Sequence, residues 1–295
     1  MYRQHNDTGN VELQARGGHK QKLLSEEQID SVKDWLDEDC TLRLDDIRIR
    51  IREQFNIVVS IPTVSKYITA FHYSFKRLCL RPIPALTEES FERRRVFAEW
   101  YIRQNGNQRE FIWADETGFK VSMRPHYGRA LVGQTPIKQG ATRIRTRNIT
   151  VMAAMNANGI LHFQVLREQN GNRDAYLHFL DDVAHNRDAR GVAQNAILIV
   201  DNVPFHKGPI VNEMMENRGF EWEFLPAYSP FFNPIVNLFS KWKALVKRAE
   251  PGNEAELFEA IDAAAALVTE ADCRGYIRHL HSNCMDCLNG VRNLV

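Results

Sequence analysis

Ala196-Ile197-Leu198-Ile199-Val200-Asp201 is an unbroken apolar run that stops on a carboxylate. A short continuous apolar segment of this kind suits a central strand covered on both faces. Phe111-Ile112-Trp113-Ala114-Asp115 follows the same pattern, a buried-type strand closed by an aspartate. Open α/β sheets bind ligands beyond the carboxyl ends of their strands. If the two strands are neighbours, Asp115 and Asp201 stand side by side at one rim, where two carboxylates can share a cation. Either aspartate alone could simply cap the turn after it; the pairing carries the functional reading.

Around these strands the apolar pattern predicts the rest of a sheet. Ile149–Met155 and Ile160–Leu166 read as strands joined by the turn Asn156-Ala157-Asn158-Gly159, hence a hairpin. Asp174–His185 reads as a helix with Tyr176, Leu177, Leu180 and Val183 inward. Pro209–Asn217 reads as a helix and Glu221–Leu225 as a fifth strand. Asn233–Lys247 and Glu254–Val268 read as two more helices. Hairpins come first and right-handed crossovers follow. The expectation is an α/β fold over residues 108–295, a mixed five-stranded sheet flanked by helices.

Upstream, the pattern is helical. Residues 1–18 are polar and aperiodic, expected to be a flexible tail, and Arg16–Lys22 forms a basic arm carrying Lys20 and Lys22. Such arms can lie in a DNA minor groove or be plain solvated linkers. Residues 19–80 are expected to be a small all-α helix-turn-helix domain. Ser25 and Gln28 offer a capping box, with Ile29, Val32 and Leu36 on one face. Thr41 is expected to open a second helix carrying Ile47, Ile51 and Phe55, and Ser60 to cap a third with Pro62 in its first turn. Val64 and Ile68 then point inward, and Thr63, Ser65, Lys66 and Thr69 face out. A small polar and basic face on a third helix fits DNA recognition, or a bundle that binds protein or nothing. Residues 81–107 read as a stiff linker and a helix capped by Thr87. Phe91, Val96, Phe97 and Trp100 form its apolar stripe and Arg93-Arg94-Arg95 a basic ridge.

Composition narrows the class only a little. The chain has 295 residues, 44% hydrophobic and 25% charged, ordinary for a globular protein. Five scattered cysteines fit a reducing compartment better than a disulfide scaffold. No apolar run is long enough to span a membrane, and the N-terminus lacks a signal-peptide core. A net charge of +1 leaves nucleic-acid binding to local clustering. Arg143, Arg145 and Arg147 alternate along one extended stretch, and Lys241, Lys243, Lys247 and Arg248 share a helix. Either set could contact phosphates or be a solvated face. His279, His281, Cys284 and Cys287 put four N/S groups within nine residues, too compact for an ordinary closed zinc site.

Three signatures carry a family resemblance. The first is Trp113-Ala114-Asp115-Glu116-Thr117-Gly118-Phe119 with Tyr127-Gly128-Arg129 to Gln134-Thr135-Pro136. The second is Asp201-Asn202-Val203-Pro204-Phe205-His206. The third is Leu225-Pro226-Ala227-Tyr228-Ser229-Pro230 with Asn233-Pro234-Ile235. Together with Pro84–Ala98 and the Ser60–Lys66 segment, they resemble the DDE transposases of the Tc1/mariner and IS630-like superfamily over roughly residues 17–290. The resemblance implies an RNase H-like fold and a two-ion Mg²⁺ (or Mn²⁺) site for DNA strand cleavage and transfer. It also implies binding of double-stranded DNA at terminal inverted repeats by a homodimer, in a nucleus or beside a nucleoid, and no membrane. Asp115 and Asp201 match the family's first two acids. The third follows the Asn-Pro-Ile triplet with 34 residues between it and the second. Here that position (201 + 35) is Val236. No Asp or Glu occurs from Phe224 to Ala249; Glu223 belongs to the preceding strand and Glu250 lies some four turns on. The expectation is a transposase impaired or dead in catalysis. The alternative is a domesticated, transposase-derived DNA-binding protein. Family members often carry two helix-turn-helix units; the residues before Arg16 are too few for the first, so the expectation is a trimmed chain or one that uses a single unit.

Overall fold

The computed structural model describes residues 23–125, 127–137, 147–166, 173–193, 195–203 and 207–294. The chain divides into two compact units, 1–80 and 81–295.

In the first unit three helices enclose an apolar centre: α1 (Glu26–Glu38), α2 (Leu44–Phe55) and α3 (Ile61–Ala70). Ile29, Val32, Trp35, Ile47, Ile51, Val59 and Val64 are buried together. The Ser25–Gln28 capping box is present, and Ser60 Oγ accepts from Thr63 N–H at 3.3 Å to start α3. Thr41 does not open α2. Its N–H and hydroxyl both donate to Asp39 Oδ1, at 2.9 and 2.6 Å, which commits it to the turn. The helix begins three residues later, where Asp46 accepts from the Arg43 N–H at 3.0 Å. Local side-chain bonds of this kind compete with helix initiation.

The second unit opens with a short 3₁₀ turn, Ile83–Leu86, and α4 (Glu88–Gly106), capped as expected by Thr87. There follow β1 (Phe111–Phe119), β2 (Ile149–Asn156), β3 (Gly159–Leu166), α5 (Arg173–Ala189), β4 (Ile197–Val200), α6 (Pro209–Asn217) and β5 (Glu221–Phe224). Three helices end the unit: α7 (Pro234–Ala249), α8 (Glu254–Ala265) and α9 (Glu270–Leu288). The sheet order is β3-β2-β1-β4-β5. The hairpin strands pair antiparallel, and β1, β4 and β5 run parallel. This is the mixed five-stranded sheet that the apolar runs predict, and it fits the RNase H-like fold that the family resemblance implies.

Strand parity divides the core. Phe111, Trp113, Ile197 and Ile199 face one side, packed with α7, α8 and α9 around Trp242. Ile112, Ala114, Leu198 and Val200 face the other, against α5 and α6. The α4 stripe is narrower than its sequence suggests. Phe97 is buried, but Val96 is exposed and Arg94 takes an interior place. Arg93 pairs with Glu89, and Arg95 with Glu92 and Glu99, so no open basic ridge forms.

Candidate active site

Odd-numbered residues of β1 and β4 face the α7 side, so Asp115 and Asp201 fall on that side too. Asp115 does not end its strand. β1 continues to Phe119 because its far half pairs with β2, Asp115 opposite Ala153 and Thr117 opposite Val151. The parallel partner β4 stops at Val200, which pairs with Ala114. The next register step therefore brings Asp115 and Asp201 to the same rim.

The opposite wall comes from the chain between β5 and α7. A 3₁₀ turn, Pro230–Phe232, drops Phe232 into the core, where its ring stacks on Phe97 at 5.4 Å. Asn233 then precedes α7, whose first turn contains Pro234, suited to a position that needs no N–H. Ile235 is buried, and Val236, one position round the helix, is 37% exposed. A cleft of about 340 Å³ results, with Asp115, Asp201, Asn233 and Val236 in its walls. Tyr228 and Ser229 complete one side.

Asp115 is held from two directions. Its Oδ2 accepts from Asn233 Nδ2 at 2.9 Å and its Oδ1 from the Glu116 N–H at 2.7 Å. Asn233 is buried, and its Oδ1 meets no hydrogen-bond donor among the described residues. Lys243 is the cation on the cleft side of α7. Burial lowers its pKa below the ordinary lysine range, the Lys247 charge lowers it further, and Asp115 partly opposes both. Its ammonium lies 6.0 Å from the centre of the Phe119 ring.

Two carboxylates and a hydrocarbon do not make a complete two-ion site, which needs about three acidic groups. Among the described residues no group of three or more His, Cys, Asp or Glu side chains could hold a metal ion. Glu223 does not fill the gap. It lines an adjoining pocket beyond Asn202, Leu225 and Pro226, where burial raises its pKa. Glu250 lies at the far end of α7. Asp115 and Asp201 could hold one divalent ion loosely; the donor set for a pair does not fit.

The remaining candidate residues are placed unevenly. Lys20, Lys22, Arg143, Arg145 and His206 lie outside the described residues. Arg147 forms a two-pronged pair with Glu254, both contacts at 2.9 Å. Lys241 pairs with Asp272 of α9, which holds that carboxyl down at about 2. Both cations therefore have acidic partners that a local reading of the sequence does not reveal. Ser60 and Thr63 are joined side chain to side chain at 2.9 Å, leaving exposed Lys66 and half-buried Ser65 on the α3 surface. His279, His281, Cys284 and Cys287 all sit on α9, where His281, Cys284 and Cys287 follow one another at i,i+3 spacing, and among the described residues they form no group that could hold a metal ion. Cys284 is buried, and burial pushes its thiol well above the usual range, against the thiolate that zinc requires.

Three features were not anticipated as parts of the site or its support: Asn233 as the clamp on Asp115, Arg94 as an interior group, and the helix α9. The first had a signal in the Asn-Pro-Ile triplet. The last had one in Thr269 and Asp272, which form a capping box.

Among the solved structures that resemble this chain are several of Mos1 transposase. The chain is similar to Mos1 transposase in a paired-end complex with the left transposon end: TM-score 0.74, 18% identity, covering 98% of this chain and 85% of that one. A pre-cleavage Mos1 transpososome gives 0.73 at 17% identity, covering 98% and 84%. A mariner Mos1 paired-end complex with Mg gives 0.70 at 19%, covering 98% and 85%. At these identities the likeness establishes the fold. No curated protein sequence matches the chain. The family described as DDE superfamily endonuclease matches residues 110–257, from the turn before β1 to the first turns of α8, and contains both aspartates, Asn233 and Val236. With that match over half its length, the chain belongs to the DDE superfamily endonucleases.

Proposed function

We propose that the chain is a Tc1/mariner-type transposase polypeptide that binds terminal inverted-repeat DNA and is crippled for strand cleavage and transfer by Val236. The observation that carries this reading is the cleft itself, where Asp115, Asp201 and Val236 meet with no other acid among the described lining residues. In a complete site of this family two Mg²⁺ or Mn²⁺ ions activate the attacking oxygen and stabilise the leaving one. Here Asp115 and Asp201 retain the sheet half of that arrangement, and Asn233 keeps Asp115 oriented. Val236 offers no lone pair to a metal. Losing a direct ligand weakens binding by more than the ~10–100-fold typical of outer-shell losses. DNA binding falls to α3 through Ser65 and Lys66, to Lys243, and to the basic stretches with Lys20, Lys22, Arg143 and Arg145. The working form is a homodimer on paired ends.

The test is a cleavage assay on duplex DNA carrying the terminal repeats of its own element, with Mg²⁺, for the unchanged chain and for Val236→Glu. The proposal expects both to bind and only the variant to cut. Robust cutting by the unchanged chain overturns it. Binding without cutting by either form favours the domesticated DNA-binding reading.

A further inference from the structure

Tyr228 holds a backbone conformation that a bulky side chain rarely takes, with φ +57°. A turn that had only to reverse the chain would place glycine or asparagine there. Such strain persists where the surroundings over-determine it. Arg94, only 2% exposed, donates from Nη2 to the Tyr228 carbonyl at 3.2 Å and from Nε to Ser229 Oγ at 3.1 Å. Ser229 Oγ in turn donates to the Ala227 carbonyl at 3.1 Å. The guanidinium is itself placed by the rings of Phe91 and Phe231, 5.4 and 5.5 Å from their centres. Pro226 and Pro230 bracket the turn.

The side chain held in this way is not a core residue. Tyr228 is 51% exposed and lines the carboxylate cleft with Asp115 and Asp201. Among the described residues its ring stacks on no other ring. Packing therefore does not account for the strained position, and an aromatic face stands open in the wall of the cleft. On the DNA-end reading of the cleft, a phosphodiester lies against Asp115 and Asp201, and what flanks a phosphodiester is sugar and base. A paired base is already stacked on its neighbours. An unpaired base at a DNA end is free to lie on a ring, and stacking of base on aromatic side chain tolerates any sequence.

We propose that Tyr228 is a stacking platform for an unpaired nucleobase beside the phosphate in the cleft, and that Arg94 is the positioning residue that sets it. The proposal rests on the DNA-end reading and adds to it the part of the substrate that this wall receives. Arg94 acts only through the turn: its fork fixes the Tyr228 carbonyl and the Ser229 hydroxyl together, which a lysine ammonium cannot do in the same geometry.

The experiment uses the full chain with Mg²⁺ and duplex DNA carrying the terminal repeat of its own element. The fluorescent base aminopurine is placed either in a single-nucleotide overhang at the end or at a paired internal position. The expected result is quenching of the overhang base on binding and none of the paired base. Quenching should persist in Tyr228→Trp and vanish in Tyr228→Leu, together with a preference of about fivefold or more for overhang over blunt DNA. Arg94→Lys, which keeps a cation in the same place, should lose most of the quenching while still binding the duplex. Equal quenching in Tyr228→Leu or in Arg94→Lys overturns the proposal. Binding of the duplex by the unchanged chain without quenching overturns it and leaves the DNA-end reading standing, whereas failure to bind the terminal repeat at all overturns both.

Discussion

The two walls of the cleft are built by different means. The sheet wall is fixed by register: Asp115 and Asp201 sit one step past the pair Ala114–Val200, and their place follows from strands whose neighbouring side chains are buried. The helix wall is fixed by a stripe. Ile235, Leu238, Phe239, Trp242 and Val246 anchor α7 to the core, and residue 236 lies beside that stripe, facing the cleft. The scaffold therefore makes no demand on the identity of residue 236. An acid can be lost there without cost to packing, and the hydrophobic gain from a valine 37% exposed is small. Fold and chemistry are separable in this unit, and the separation runs between two adjacent residues, Ile235 and Val236.

That contrast can be broken from the packing side first. Trp242 is fully buried, donates from Nε1 to the Ile261 carbonyl at 2.9 Å and meets Phe163 edge-on at 5.1 Å. Trp242→Ala should cost about 3–5 kcal/mol in denaturant unfolding. A cost near that of an exposed substitution would mean that the stripe does not anchor the helix wall.

A smaller effect tests the link between the walls. Asn233→Ala removes the donor to Asp115 and should destabilise by about 1–2 kcal/mol. A double-mutant cycle with Asp115→Ala should return most of that as coupling; additive losses would show that the bond does not hold the walls together.

The smallest effect is a pH dependence on the outer side of α7. The Asp272 carboxyl is held at about 2, below its ordinary 3.8, chiefly by Lys241 and by the Thr269 N–H and hydroxyl. A depressed carboxylate stabilises the fold above its unfolded value, and that contribution is lost as pH falls through the folded one. Stability should thus drop between 3.8 and about 2 partly through this group. Asp272→Asn should flatten that part of the acid limb, seen in unfolding temperature against pH, while an unchanged slope would remove the Lys241 pair from the account.

What the sequence revealed and what it hid follow from the range of the interactions. β4 was legible because five apolar residues in a row, Ala196–Val200, leave few other options. The hairpin was legible from its turn, where Asn156 Oδ1 accepts from the Asn158 N–H at 2.9 Å and Gly159 takes φ +141°. The two aspartates at one rim were legible because each ends an apolar run. β1 runs past its apolar stretch because Glu116, Thr117 and Gly118, loop-like in sequence, pair with β2. The partners of Arg147 and Lys241 are 107 and 31 residues away, beyond any local window. Arg94 looked like one of three surface cations because only the fold brings Ser229 and Tyr228 to it. α9 is hard to see in the sequence because Arg274, His279 and His281 dilute its apolar period, although Cys273, Leu280 and Cys284 are buried.

The most direct measurement is a Mn²⁺ titration, by calorimetry or electron spin resonance, of the unchanged chain and of Val236→Glu. The account predicts binding at the cleft tighter in the variant by roughly 100-fold or more, abolished in the variant by Asp201→Asn. Equal and tight binding in both forms would contradict it.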